Sequence, residues 1–405
     1  MSTGKFNLKI LLLLSTGHCV VDIYQAGLPV VLPFLKDRLS LTYTMAGVIM
    51  IVANMMSSIL QPVFGYLSDR KEKGFLLPAG VLAAGIGFVL LPFPSSYLPV
   101  LMLVTVSGLG IAAYHPEGYK TAAFHTGPRA ATGMSIFSVG GNAGMALGPI
   151  LSLPVISYLG FDALPLVVIP SLAFAAAIIY WRKEVVLPER TQQARQEGDG
   201  KLGSAARLSL LTIISVVVMR SWTQMGLLSY IPFYYIDFLR GDPVYAGTLV
   251  SLFLLGGAAG TLAGGPLADR WGHKFYISLT MMLAALTFPL LFLFEGFPLL
   301  LAATLFWLGA ILVSTFSVTV VMSQKLLPGN LGIASGLTTG FAIGAGGIGV
   351  TLLGVVADRF GVPFAMKSIF VFPVVGFILT LMLRYPVLEK ADTASRSTIE
   401  QGELV

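Results

Sequence analysis

Three kinds of residue are scarce in this sequence of 405 residues: cysteine, histidine and charged side chains. The single cysteine, Cys19, excludes an intrachain disulfide and any metal site built from several cysteines. Charged residues make up only 11% of the chain, whereas roughly 25% is usual for a soluble domain. Since disorder requires low hydrophobicity and high net charge, the 56% of apolar residues also excludes a disordered chain.

What the sequence has in abundance is apolar runs long enough to cross a lipid bilayer. Its mean hydropathy is +0.85, and a helix needs about 20 residues to span the hydrocarbon. The pattern therefore predicts an all-α membrane protein with twelve transmembrane helices. The runs, which we number as spans 1 to 12, cover residues 9–35, 43–67, 74–94, 97–118, 131–158, 163–182, 207–236, 245–268, 274–294, 298–324, 332–357 and 363–384.

The basic residues indicate how these helices are oriented. If both termini are cytoplasmic, that side holds nineteen of the 25 lysines and arginines, and the other side holds five. Such an excess is the positive-inside pattern, so we predict a multi-pass protein of the cell (inner) membrane with cytoplasmic termini. The net charge of +6 is then a topology signal and does not indicate nucleic-acid binding. The first run is too long for a cleaved signal peptide and is predicted to be retained.

The two halves of the chain resemble each other. Span 2 opens on Ala-Gly at residues 46–47, as span 8 does at residues 246–247, and spans 1 and 5 match spans 7 and 11 at offsets of 199 and 203. A charged stretch between the copies is predicted to be a flexible cytoplasmic linker. The predicted organisation is an N-terminal six-helix half (1–182), the linker (183–206), a C-terminal six-helix half (207–385) and a cytoplasmic tail (386–405).

A ten-residue motif occurs at the ends of spans 2 and 8. Residues 265–274 read GPLADRWGHK, and residues 65–74 read GYLSDRKEKG. The former resembles the loop signature G-x-L-x-D-R-x-G-R-K of the major facilitator superfamily, and the latter keeps its Gly, Leu, Asp and Arg. That resemblance covers nearly the whole chain. It implies two pseudo-symmetric six-helix halves, with a substrate site between them that is exposed alternately to the two sides of the membrane.

The same resemblance implies a latch at the cytoplasmic face. Gly65 and Gly265 would allow two helices to approach closely. By the pseudo-symmetry of the repeat, Asp69 and Asp269 would face the N-termini of spans 11 and 5, which carry positive partial charge. The expected additional ion pairs involve three arginines, Arg70, Arg129 and Arg270. The alternative is a pair of solvated turns.

Span 5 contributes to two further resemblances. Gly144, Gly148 and Pro149 are similar to the span-5 signature of drug/proton antiporters, and we group them with the gating residues. Plain packing is the alternative, because small residues four apart let helices approach closely. Three segments together resemble the fosmidomycin resistance protein family, which exports small drugs by proton antiport. They are GHCVVDIYQ at 17–25, YHPEG at 114–118 and SIFSVGGN at 135–142.

Ionisable residues inside the spans are the candidates for proton coupling, since placing a charge in lipid is costly. His18, Asp22 and Gln25 fall on one helix face, which is expected to face the cavity between the halves. Asp22 is the first candidate for the coupling proton, and His18 is an alternative or a relay. A structural hydrogen bond is the other explanation. His115 and Glu117 are predicted to form a second protonation site, with a gating or structural role as the alternative.

Arg220 is the one lysine or arginine predicted to be buried within a span, and Gln224 shares its helix face. It is predicted to bind an anionic substrate or to pair with Asp22. Weaker candidates for substrate contact are polar or aromatic residues of spans 1, 2, 5 and 7. For these, interhelical hydrogen bonds or an interfacial aromatic belt are the alternatives. They are Tyr24, Gln25, Asn54, Gln61, Ser138, Asn142, Trp222, Tyr230 and Tyr234.

These observations predict a secondary active transporter that works by alternating access. The first hypothesis is a proton-coupled efflux antiporter of a small anionic drug or metabolite, fosmidomycin-like in character. The alternative is a proton-coupled symporter that imports an organic anion or a sugar-like metabolite. The sequence has no nucleophile motif, phosphate loop or metal cluster, so we predict no enzyme activity, no cofactor and no metal. The expected partners are a small-molecule substrate, protons and the lipid bilayer, without nucleic acid, and a monomer is expected.

Overall fold

The computed structural model describes residues 5–41, 43–70, 74–185 and 204–385, and every regular element within those ranges is a helix. The predicted linker at 183–206 lies mostly outside these residues, and the predicted tail at 386–405 lies wholly outside them. At the edges of the linker, Arg182–Val185 is a short helix, and residues 204–206 already belong to the next long helix.

Twelve helical segments match the twelve apolar runs, which confirms the predicted all-α class. Within the described ranges, eleven helices are long and apolar enough to span a membrane, and the remaining one is shorter because the chain turns at Leu90. We label them in chain order: α1 (Leu8–Leu39), α2 (Met45–Arg70), α3 (Leu76–Val89), α4 (Tyr97–His125), α5 (Ala130–Leu159), α6 (Phe161–Tyr180), α7 (Ser204–Phe238), α8 (Tyr245–Trp271), α9 (His273–Leu293), α10 (Pro298–Leu326), α11 (Leu331–Phe360) and α12 (Val362–Met382).

The packing of the first six helices is repeated in the last six. α1 packs along α5 as α7 packs along α11, and α2 packs on α4 as α8 packs on α10. The α1–α5 contact is backbone to backbone, because a Cβ placed on Gly140 would lie 1.9 Å from the Ser15 carbonyl oxygen. The repeated pairing is the structural counterpart of the sequence repeat.

The outer surface of the bundle is apolar. Many large aliphatic side chains are half-exposed or more, among them Leu98, Ile150, Leu211 and Leu286. A soluble monomer rarely exposes large contiguous apolar patches, whereas hydrocarbon is a suitable solvent for such side chains. With eleven apolar helices of spanning length, this surface identifies a multi-pass membrane protein.

The two sets of six helices meet along two seams, α2 against α11 and α5 against α8. At one end of the bundle the backbones touch. A Cβ on Gly65 would lie 2.4 Å from the Gly332 carbonyl oxygen, and a Cβ on Gly265 would lie 2.6 Å from the Ala131 carbonyl oxygen. Larger residues at either glycine would force the two sets apart. We call this the latch end, and its defining residues are Gly65, Asp69, Gly265 and Asp269.

Candidate functional site

Asp69, at the end of α2, holds the N-terminus of α11. Its carboxylate accepts hydrogen bonds from the backbone N–H groups of Gly332 (2.8 Å) and Ile333 (2.9 Å). Such N–H groups lack a partner within their own helix, and they carry the positive end of the helix dipole. A charged acceptor at this position therefore ties α2 to α11 without a basic side chain.

Asp269, at the end of α8, makes the equivalent contact with α5. It accepts hydrogen bonds from the backbone N–H groups of Ala131 (2.9 Å) and Thr132 (2.8 Å), and from the Thr132 hydroxyl (2.7 Å). The two aspartates thus face the two helix N-termini that the sequence repeat indicated.

The ion pairs expected of the latch arginines are not formed, so that expectation was wrong. Arg70 lies over the Tyr66 ring, 4.4 Å from its centroid, and Arg129 and Arg270 are exposed. None of the three belongs to an ion pair between described residues. Backbone N–H groups already satisfy both oxygens of each aspartate, so an arginine would gain little for the hydration it loses.

The glycine motif of α5 does not lie at the latch, which corrects its grouping with the gating residues. A Cβ on Gly144 would lie 2.2 Å from the Cys19 carbonyl oxygen, and a Cβ on Gly148 would lie 2.6 Å from the Ile23 carbonyl oxygen. Both glycines therefore pack α5 against α1, and α5 continues as a helix through Pro149. This geometry favours the packing alternative.

A buried cluster of three titratable side chains lies where α1, α4 and α5 meet. His18, Asp22 and His115 are 5%, 7% and 4% exposed. His18 Nε2 lies 3.5 Å from Asp22 Oδ2, and His115 Nε2 lies 3.2 Å from Asp22 Oδ1. The His115 contact is close without the alignment of a hydrogen bond, since Asp22 Oδ1 has no hydrogen-bond partner among the described residues. Because the sequence predicts proton coupling at these three residues, we call them the proton cluster.

The tautomer of His18 follows from its other neighbour. His18 Nδ1 lies 3.0 Å from the Phe137 carbonyl oxygen, which can only accept, so Nδ1 carries a hydrogen and donates it. In the neutral ring, Nε2 then presents a lone pair to the Asp22 carboxylate. Two acceptors that face each other require a shared proton or another cation between them. The candidate ligand atoms of the three side chains all lie within 4.8 Å of one another, so a metal ion could also be held there.

Gly141 keeps this cluster in place, which gives a direct test of its geometry. A Cβ on Gly141 would lie 2.6 Å from His18 Nε2 and 2.8 Å from Asp22 Oδ2. Because the clash is with side-chain ends, Gly141→Ala should still fold while displacing both groups. For the proton-driven transport that the sequence predicts, we expect a loss of at least about tenfold, since misplacing reacting groups by 1 Å is costly. In Gly47→Ala the added Cβ meets nothing within 4 Å, so equal transport losses in both variants would contradict this account.

His115 and Glu117 do not form one site, so the predicted second protonation site was wrong. Glu117 Oε2 lies 3.3 Å from Lys120 Nζ, and Lys120 also donates to the Ser68 carbonyl oxygen beside Asp69. Residues two apart on a helix point in nearly opposite directions, so His115 turns to α1 while Glu117 turns away.

Arg220 is buried without a counter-ion among the described residues. It is 3% exposed, donates from Nη1 to Gln224 Oε1 at 3.0 Å, and lies 5.1 Å from the centroid of the Phe316 ring. Its Nε has no hydrogen-bond partner in the described chain. The predicted pairing with Asp22 is absent from this structure.

Comparison with known proteins identifies the family. A family model described as the Major Facilitator Superfamily matches residues 14–241 and 239–403. The chain belongs to this superfamily. The predicted resemblance is confirmed, and family members are membrane transporters of small molecules, which indicates a transporter and not an enzyme.

Two superfamily relatives cover most of the chain. An uncharacterized MFS-type transporter of Bacillus subtilis, YfnC, is 35% identical over 379 residues, or 92% of each chain. The fosmidomycin resistance protein of Escherichia coli is 30% identical over 374 residues, or 91% of each chain. A solved structure of the transporter FucP in the outward conformation has a TM-score of 0.72 at 15% identity, covering 94% of this chain and all of that one. The latter likeness confirms the superfamily fold of two six-helix halves.

Several predicted substrate residues hydrogen-bond or pack within one half, which favours the structural alternative for them. Tyr24 hydrogen-bonds to the Val167 carbonyl oxygen (3.0 Å) and Ser171 Oγ (2.5 Å). The Trp222 indole donates to the Ala345 carbonyl oxygen (2.7 Å), and the Tyr234 hydroxyl donates to Glu295. Tyr230 is buried against the Phe233 ring. Aromatic side chains with a polar group favour such sites, where the ring is buried and the polar group is satisfied.

The polar candidates of spans 2 and 5 mostly bridge helices. The Gln61 Oε1 atom accepts a hydrogen bond from Thr339 across the α2–α11 seam, and Asn142 donates to Thr261 Oγ1 at 3.4 Å across the α5–α8 seam. Ser138 Oγ lies 3.4 Å from the Tyr119 hydroxyl. Gln25 and Asn54 line a small cavity among α1, α2, α3 and α4.

Two aromatic residues beside the proton cluster were missed by the sequence analysis. The Tyr119 ring lies 5.7 Å from the His18 ring, and the Phe316 ring lies 6.2 Å from Tyr119. We call Tyr119 and Phe316 the aromatic pair. An aromatic residue in an apolar span does not stand out from its neighbours in the sequence. Its place beside the cluster therefore becomes visible only in the contact of α4 with α10.

Proposed function

We propose that this protein is a proton-coupled efflux antiporter of small anionic compounds. The proton cluster carries the proposal, because a carboxylate and two imidazoles converge there in a buried site. The similarity to a fosmidomycin resistance protein over 91% of both chains supports export of a related compound. In this proposal, residues 1–182 and 207–385 are the two moving halves, joined by a linker at 183–206 and followed by a tail at 386–405.

The proposed cycle takes place in a monomer in the inner membrane, with the latch end and both termini on the cytoplasmic side. While Asp69 and Asp269 hold the latch closed, a proton from the opposite side binds between Asp22 and a histidine. Proton binding removes the negative charge of the cluster. The halves then rock, the latch end opens, the proton leaves to the cytoplasm and the substrate binds. The substrate is released outside when the latch closes again.

Arg220 supports an anionic substrate. A buried guanidinium without a carboxylate is costly, and its unpartnered Nε leaves part of its hydrogen-bonding capacity unused. An anionic group that docks beside Arg220 would supply both the charge and the acceptor, in the fork geometry that arginine suits.

One observation favours a second candidate function, proton-coupled symport of an organic anion. Arg220 contacts Phe316 and the proton cluster contacts Tyr119, so the aromatic pair links the two sites. An anion held at Arg220 therefore makes proton binding at the cluster electrostatically more favourable. Such reciprocal linkage loads proton and anion together, whereas antiport requires them to bind in turn.

Inside-out vesicles with an acidic lumen separate the two functions. Antiport predicts that labelled fosmidomycin accumulates in vesicles that contain the protein, and that a protonophore abolishes the accumulation. We expect uptake several times that of vesicles without the protein. Symport predicts instead that the same pH gradient drives preloaded compound out. Uptake that ignores the gradient would contradict proton coupling of either kind.

A further inference from the structure

A chain of ring contacts through the aromatic pair links two buried groups of opposite charge. On one side, the Tyr119 ring lies edge-on to His18, which contacts Asp22. On the other side, the Arg220 guanidinium carbon lies 5.1 Å from the Phe316 ring centroid. Tyr119 belongs to α4 and Phe316 to α10, so the pair also joins the two halves.

Tyr119 is fixed from several directions. Its ring lies edge-on to Phe137 at 4.6 Å between centroids, and its hydroxyl is 3.4 Å from Ser138 Oγ on α5. Its carbonyl oxygen accepts a hydrogen bond from Gln324 Nε2 on α10 at 3.2 Å. A swing of the ring would therefore break its contacts with Phe137 and Ser138 in one half and with Phe316 in the other.

Asp22 and Arg220 would be expected to pair if nothing separated them. The offset of 199 between spans 1 and 7 aligns Asp22 with Ser221, so the two charges lie at similar depth. Opposite charges attract strongly where the dielectric is low. Yet Asp22 Oδ1 and Arg220 Nε both lack a hydrogen-bond partner among the described residues. Leaving buried polar atoms unsatisfied costs free energy, so the missing pair calls for a structural reason.

We propose that the aromatic pair is a positioning device whose bulk prevents Asp22 from pairing with Arg220. A direct ion pair would satisfy both charges. Asp22 would then no longer be free to bind the proton, and Arg220 would no longer be free to bind the substrate anion. The roles of the two charged groups rest on the proposed function. The separation itself is a property of the packing, and it can be tested without any substrate.

The first test is a set of variants measured by thermal unfolding in detergent. With Phe316 intact, Asp22→Asn and Arg220→Gln should change the unfolding temperature additively. In a Phe316→Ala background the effects of Asp22→Asn and Arg220→Gln on the unfolding temperature should be non-additive. Combining the two should lower that temperature no more than either one alone, because each removes the same new ion pair. Additive effects in the Phe316→Ala background, or non-additive effects with Phe316 intact, would overturn the proposal.

The second test is fosmidomycin binding to the purified protein. Phe316→Ala should weaken binding by at least about tenfold, since Arg220 is then occupied by Asp22. Adding Asp22→Asn should restore it, and Phe316→Tyr, which keeps a ring, should bind like the parent protein. Phe93→Ala, at an exposed phenylalanine, controls for the loss of a ring. If Asp22→Asn fails to restore binding, the defect is one of packing and the proposal is wrong.

The two tests distinguish a failure of the proposed function from a failure of the inference about the aromatic pair. If the parent protein and Arg220→Gln bind the compound equally, the anion site of the proposed function is wrong. The unfolding measurements then still decide whether the aromatic pair separates Asp22 from Arg220.

Discussion

Replacing Asp22 by asparagine is expected to abolish pH-driven transport while the protein still folds. Asparagine keeps the shape of aspartate but cannot take up a proton, so the cluster loses the group that faces both histidines. We expect acid-driven uptake in inside-out vesicles to fall by about 100-fold, the scale on which removing a required proton-transfer group acts. Exchange of labelled for unlabelled substrate at equal pH should persist, because it needs no net proton movement.

Glu117 provides the sharpest comparison for Asp22. It is also a buried carboxylate of the N-terminal half, but it is paired with Lys120. Glu117→Gln is best combined with Lys120→Gln, because a lone buried ammonium would destabilise the fold. If this double variant loses the pH dependence while Asp22→Asn keeps it, the proton is carried by Glu117 and our assignment is wrong.

The combination of Asp69→Asn with Asp269→Asn is expected to open the latch end. Each carboxylate accepts two or three hydrogen bonds at a helix N-terminus. Bonds to a charged group contribute roughly 1.5–3 kcal/mol each, and asparagine offers one uncharged acceptor. A loss of only about 1.4 kcal/mol already reduces the latch-closed population tenfold relative to the open one.

Cysteine labelling measures this opening. Ser68 is fully buried beside Asp69, and its hydroxyl has no hydrogen-bond partner among the described residues, so Ser68→Cys should be tolerated. In a Cys19→Ser background, the double asparagine variant should react with a maleimide at least about ten times faster. Asp162→Asn is the matched control, because it removes an exposed carboxylate that bonds Arg38 near the opposite end. Equal rates in all three proteins would show that the aspartates do not hold the latch.

The helices could be predicted because a lipid bilayer restricts the conformations that the backbone can adopt. In a bilayer every N–H and C=O group must be satisfied internally, so an apolar run of sufficient length is a helix. The third run was predicted too long, since residues 74–94 include a turn that ends α3 at Val89. Hydropathy cannot detect such an end, because the turn is as apolar as the helix before it.

The candidate site was predictable only where symmetry fixed the partners. The repeat places the aspartates of the two motif copies opposite helix N-termini, as the structure does. Spacing within one helix could not show that His115 turns to Asp22 and away from Glu117, because the packing of α4 on α1 decides it. Similarly, the sequence of the motif could not show that backbone N–H groups already bind both aspartates, so it could not exclude ion pairs with the nearby arginines.

The close packing of α5 on α1 has a mechanical consequence. Asp269 grips α5 at Ala131, and Gly141 touches His18 and Asp22 ten residues further along. At 1.5 Å per residue this arm is about 15 Å long, so a tilt of about 10° at the gripped end displaces the far end by roughly 2–3 Å. That displacement is nearly as large as the 3.2 Å gap between His115 and Asp22. We therefore expect α5 to act as a lever: releasing its N-terminal end from Asp269 would change the geometry of the proton cluster at the other end of the arm.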